Sequence, residues 1–133
     1  MRMWSCYTIL IAAIIGTTLS PVDSAETKLL FRAQGATIPA GKPIVLGKVE
    51  IALYSAIRVV ASTYPDSNAN ARIQLILMEG EEQYLMSLDT IVVPPKSSTT
   101  RLYPVPGRKL LIEAATDGSS GSTSVDLIVY GTQ

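Results

Sequence analysis

Apolar and polar residues alternate with a period of two along five stretches of this chain. Val49, Ile51 and Leu53 alternate with Lys48, Glu50 and Ala52. Ile57, Val59 and Ala61 alternate with Arg58, Val60 and Ser62, and Ile73, Leu75 and Leu77 alternate with Arg72, Gln74 and Ile76. The pattern recurs at Leu110, Ile112 and Ala114, and again at Val125, Leu127 and Val129. A period of two puts each apolar row on one face of a pleated strand. No stretch sustains the spacing of a helix. Weaker strands are expected at residues 28–33, 83–93 and 99–103.

Turn chemistry separates these segments. Pro39-Ala40-Gly41-Lys42-Pro43 breaks the chain early, and Tyr64-Pro65-Asp66-Ser67-Asn68 reads as a loop. Glu79-Gly80 predicts a tight hairpin with glycine at positive φ. Pro94-Pro95 ends a strand, and Val105-Pro106-Gly107-Arg108 suits a type II turn. Residues 116–124 (TDGSSGSTS) form a small, polar connection. Seven to eight short strands at this spacing predict an all-β, antiparallel two-sheet sandwich, jelly-roll or immunoglobulin-like. Neither an internal repeat nor a second domain is evident.

The first 25 residues break this pattern. Arg2 precedes an apolar block, TILIAAIIGTTL, which is followed by the turn-prone SPVDSA. That is the layout of a secretory signal peptide, with a cut expected after Ser24 or Ala25. The block is shorter than the ~20 residues of a spanning helix and closes at Pro21, so no membrane span is expected after cleavage. The working protein is then a single domain, residues 26–133, secreted or periplasmic.

Removal of that leader takes Cys6, the only cysteine, with it. No disulfide, thiolate nucleophile or cysteine metal ligand is then possible. Removing Arg2 and Asp23 takes the 11 basic and 11 acidic residues to ten of each. A zero net charge supplies no excess to neutralise phosphates, which argues against nucleic acid, and it permits self-association. The chain has no histidine, so the usual general base and the commonest metal ligand are missing.

The chemistry-bearing residues are few. Glu79, Glu81 and Glu82 suit a solvated hairpin tip. Asp66-Ser67-Asn68-Ala69-Asn70 begins like a calcium loop, but Ala71 and Leu77 stand where its glycine and glutamate belong. Calcium would need another geometry, and no cofactor is expected. Glu50, Asp89, Glu113 and Asp126 are the strand acids that a carboxylate-only glycosidase would use, but no spacing selects a pair.

Val60, Ile76, Met78, Leu111, Ile128 and Tyr130 fall opposite the main apolar rows. Either neighbouring segments cover them, or they form a patch that meets a partner or another copy. Tyr54, Tyr64, Tyr84, Tyr103 and Tyr130 are the aromatic contacts available to a ligand, with Tyr64 and Tyr103 placed before prolines at loop edges. The candidate partner-binding residues are therefore Tyr64, Tyr103, Val60, Ile76, Leu111 and Ile128. The expected role is a secreted, non-enzymatic module that binds a partner or assembles. The alternative is a glycan-binding module using tyrosines at the sandwich-end loops. A carboxylate-based hydrolase is the lesser reading.

Overall fold

The computed structural model describes residues 26–81, 83–104, 107–117 and 121–133. The expected leader and its cleavage site lie outside these residues. Eight strands follow in order: β1 (Thr27–Ile38), β2 (Ile44–Glu50), β3 (Ala56–Thr63), β4 (Ala71–Glu79), β5 (Tyr84–Val93), β6 (Ser98–Pro104), β7 (Lys109–Thr116) and β8 (Thr123–Thr132). No helix occurs among the described residues.

Sheet one runs β1-β8-β3-β6 and sheet two runs β2-β7-β4-β5, with antiparallel neighbours throughout. The pairs β1·β8, β2·β7, β3·β6 and β4·β5 are nested, as if one long hairpin with its tip at the β4–β5 turn had been rolled up. That nesting defines a jelly roll, the first of the two expected architectures. Gly80 (φ 59°) and Glu81 (φ 60°) make the tip, with glycine in the left-handed conformation that its turn demands.

Four alternating rows face inward as expected. Ile57, Val59 and Ala61 meet Val125, Leu127 and Val129 in sheet one. Ile73, Leu75 and Leu77 meet Leu110, Ile112 and Ala114 in sheet two. All twelve are buried, and large faces small across the strands: Leu127 opposite Ala61, Ile73 opposite Ala114. This is the core that a disulfide-free domain must rely on, since burial of apolar area is its main favourable term.

Two boundaries differ from the sequence expectation. β2 begins at Ile44 and ends at Glu50; Ile51 is buried in the following turn, but Leu53 is exposed. The Leu53 position continues the alternation only by coincidence of residue type. β1 runs on to Ile38 through a register shift between Ala33 and Ala36. Gly35 (φ 64°) supplies that shift, and its N–H donates to Asp126 Oδ1 at 2.7 Å. Val105 and Pro106 of the expected type II turn lie outside the described residues.

Where β1 and β2 face each other across the sandwich, Phe31 lies over Gly47. A Cβ at Gly47 would stand 2.4 Å from Phe31 Cε1, so the glycine makes room for the ring.

Candidate functional site

Tyr64 and Tyr103, the aromatic candidates, are tied into the fold. Tyr64 follows β3, is half-buried and donates its hydroxyl to Asp126 Oδ1 on β8 at 2.8 Å. The same oxygen takes the Gly35 N–H, so one carboxylate joins β1, β8 and the β3–β4 loop. The bond to Asp126 is the main reason the Tyr64 hydroxyl ionises above its ordinary value. Tyr103 on β6 is opposite Ile57 and packs partly against the core. Its hydroxyl donates to Asp89 Oδ2 on β5 at 2.6 Å. Burial first, then the Asp89 bond, holds that hydroxyl far above its ordinary ionisation range. Asp89 is correspondingly held below the usual carboxylate range, mainly by the Tyr103 hydroxyl.

The calcium-like segment has a different occupation. Ser67 Oγ accepts from the Ser124 N–H at 3.2 Å, and Asn68 Oδ1 accepts from the Ser122 N–H at 3.0 Å. Asn70 Nδ2 donates to Asp117 Oδ2 at 3.2 Å, and Asp117 also pairs with Arg72 at 3.2 Å. These short polar side chains fasten the β3–β4 loop to both flanks of the β7–β8 connection. Among the described residues no group of three or more His, Cys, Asp or Glu is placed to hold a metal ion.

The four aliphatic candidates segregate into two adjacent pairs on opposite faces of the sandwich. Val60 is opposite Ile128 on the solvent side of sheet one, and Ile76 is opposite Leu111 on the solvent side of sheet two. All four are half-buried. On sheet one the register extends the first pair into a band two rows deep. One row runs Arg32, Ile128, Val60 and Thr100; the next runs Leu29, Tyr130, Arg58 and Leu102. Leu29 is 50% exposed and Leu102 61%. On sheet two the Ile76–Leu111 row is bounded by Lys48 and Ser87, and the next row holds the Lys109–Glu50 ion pair at 3.5 Å. Met78, also off the inward rows, is buried beside that pair.

A third apolar surface was not legible in the alternation. Tyr84, Leu85 and Met86 at the start of β5 are 69%, 61% and 69% exposed on the edge of sheet two. Glu79 and Glu81 precede them at the hairpin tip. Glu79 Oε1 accepts from the Arg108 N–H at 3.1 Å, and Arg108, Lys109 and Glu50 line the same recess as the two glutamates.

The strand acids do not converge. Asp126 lies on sheet one and Asp89 on β5 of sheet two. Glu50 is opposite Lys109, four positions from Glu113 on β7, which separates the two by roughly 13 Å along the sheet. Glycosidase pairs stand about 5–9.5 Å apart. No helix among the described residues is long and apolar enough to cross a membrane.

The fold and its surfaces define a jelly-roll β-sandwich, and comparison with solved structures agrees. The chain is similar to PirA, with a TM-score of 0.54 at 10% identity, covering 80% of this chain and 93% of PirA. It is also similar to the PBSX exported protein XepA, with a TM-score of 0.58 at 12% identity over 82% of this chain. The match spans 37% of XepA. A dimeric latent PorU from Porphyromonas gingivalis matches with a TM-score of 0.50 at 9% identity, over 83% of this chain and 13% of that one. At these identities the likeness is one of fold. No protein-family model and no curated protein matches the chain.

Proposed function

We propose that this chain is an exported, non-enzymatic module that binds a protein partner or assembles through the solvent face of sheet one. The observation that carries the reading is the band of Leu29, Val60, Leu102, Ile128 and Tyr130 set with Arg32 and Arg58. No other strand covers it among the described residues. Tyrosine and arginine on an apolar ground are the residues that dominate interface cores. The export half of the reading is supported by the leader pattern of the first 25 residues. The glycan alternative used Tyr64 and Tyr103, whose hydroxyls are both engaged by carboxylates, so no observation favours it over the first reading.

The test is to express the full chain with its leader and recover it from the exported fraction. Light scattering after size exclusion is expected to give a species heavier than one chain. Tyr130→Asp should release that species to a single chain, and Glu113→Gln on the opposite face should leave it intact. A lone chain in the unmodified protein would reject the reading. Intact-mass analysis bears on export separately: a terminus at Ala25 or Glu26 supports the leader, and an intact Met1 rejects it.

A further inference from the structure

We propose that the acidic, apolar β4–β5 tip of one copy docks on the sheet-one face of the next. This rests on the reading of that face as an association surface and names its occupant. The face carries Arg32 and Arg58 among half-exposed aliphatics. The only acid on it among the described residues is Asp126, whose Oδ1 already accepts from Gly35 and Tyr64. Neither guanidinium forms an ion pair among the described residues.

The tip supplies what the face lacks. Glu79 and Glu81 are exposed there, a few positions before the exposed run Tyr84, Leu85 and Met86; Glu82 lies outside the described residues. Two cations accompany them: Lys109 is paired with Glu50, and Arg108 lines the recess beside the glutamates. Acid remains in excess. Carboxylates beside aliphatics on one surface thus match guanidiniums beside aliphatics on the other. Guanidinium–carboxylate bonds are charge-assisted and often bidentate, and surrounding apolar groups keep water from them.

The two patches are different parts of the molecule, so the contact is heterologous. Each docked pair keeps one tip and one face free, and the product is a ring or an open chain. The zero net charge of the sequence means that copies do not repel one another at long range.

The experiment uses the protein purified from the exported fraction in a concentration series by light scattering, with circular dichroism as a check on folding. Mass is expected to rise with concentration and to fall as salt is raised. A face variant, Arg32→Glu with Arg58→Glu, and a tip variant, Glu81→Lys with Leu85→Asp, should each associate about tenfold more weakly or worse. Mixing the two should restore a pair and stop at a pair, because only one tip and one face remain competent. If either double variant loses its strand signal, Arg58→Gln and Glu81→Gln replace it and should give the same trend. A single chain at every concentration overturns the inference. It leaves the face reading to stand or fall on whether a different protein is found in the exported species. Association that persists in the face variant, or that strengthens with salt, also overturns it and points to edge pairing between β5 strands.

Discussion

The Tyr103 hydroxyl donates to Asp89 Oδ2 across the open side of the sandwich, joining β6 of sheet one to β5 of sheet two at 2.6 Å. No backbone ladder links these two strands, so side chains and the short connection through residues 94–97 hold that side shut. Asp89 Oδ1 also accepts the Thr90 N–H at 2.8 Å. The carboxylate thus takes up a backbone donor of the edge strand while it holds the tyrosine. Tyr103→Phe removes the bond and keeps the ring. We expect a loss of about 1.5–3 kcal/mol in urea unfolding, the usual range for a hydrogen bond to a charged group. An unchanged midpoint would show that the sheets are held by core packing alone.

The same pair sets a dependence on pH at both extremes. The fold favours the neutral Tyr103 hydroxyl, raising its ionisation above the ordinary 10.0. The unfolded chain therefore releases this proton first, and stability falls as the pH rises above 10. The fold favours the ionised form of Asp89, which is held below the ordinary 3.8. Its contribution is complete above 3.8 and is lost as the pH falls through the folded value. Unfolding midpoints measured across pH should drop at both ends, and Tyr103→Phe should flatten both limbs.

Gly47 has no room for a side chain. Its missing Cβ would stand 2.4 Å from Phe31 Cε1 and 2.8 Å from Phe31 Cζ, so Gly47→Ala forces the ring aside. The expected cost is about 1–3 kcal/mol, the range for overpacking. Because the two residues touch, Gly47→Ala with Phe31→Leu should cost less than the two single changes combined. Thermal denaturation of the four proteins completes the cycle, and strict additivity would contradict the contact.

Leu127 and Leu53 both stand in alternating stretches, yet only Leu127 is in the core. Leu127→Ala should cost about 2–5 kcal/mol through lost burial and the cavity left behind. Leu53→Ala should stay within about 0.5 kcal/mol, because that side chain lies in solvent after β2 has ended. Equal losses at the two positions would place the end of β2 incorrectly.

The inward rows were readable because burial on one face of a strand leaves a direct trace in residue type. Ile73, Leu75 and Leu77 could hardly be arranged otherwise. The reach of β1 was not readable, because Gln34-Gly35 resembles a break. Only the Asp126 carboxylate, 91 positions away, shows why a strand continues there. The roles of Tyr64 and Tyr103 were hidden for the same reason, since each partner is set by folding and not by spacing. One signal was present: Asp126 is an acid in the otherwise apolar run from Val125 to Tyr130, and such a residue asks for a donor from elsewhere. The pairing of Val60 with Ile128 and of Ile76 with Leu111 needed the strand order, which alternation does not carry.

The outermost layer of the rolled hairpin joins Thr27 to Thr132. The first strand thus has no ladder partner until the last has been made. For a chain that emerges from the ribosome front end first, sheet one stays open until β8 has emerged, and β1 waits throughout as an unprotected edge. Such distant pairing slows folding and leaves early intermediates prone to stick. The interval between emergence and closure, more than the finished sandwich, is where this protein needs shelter.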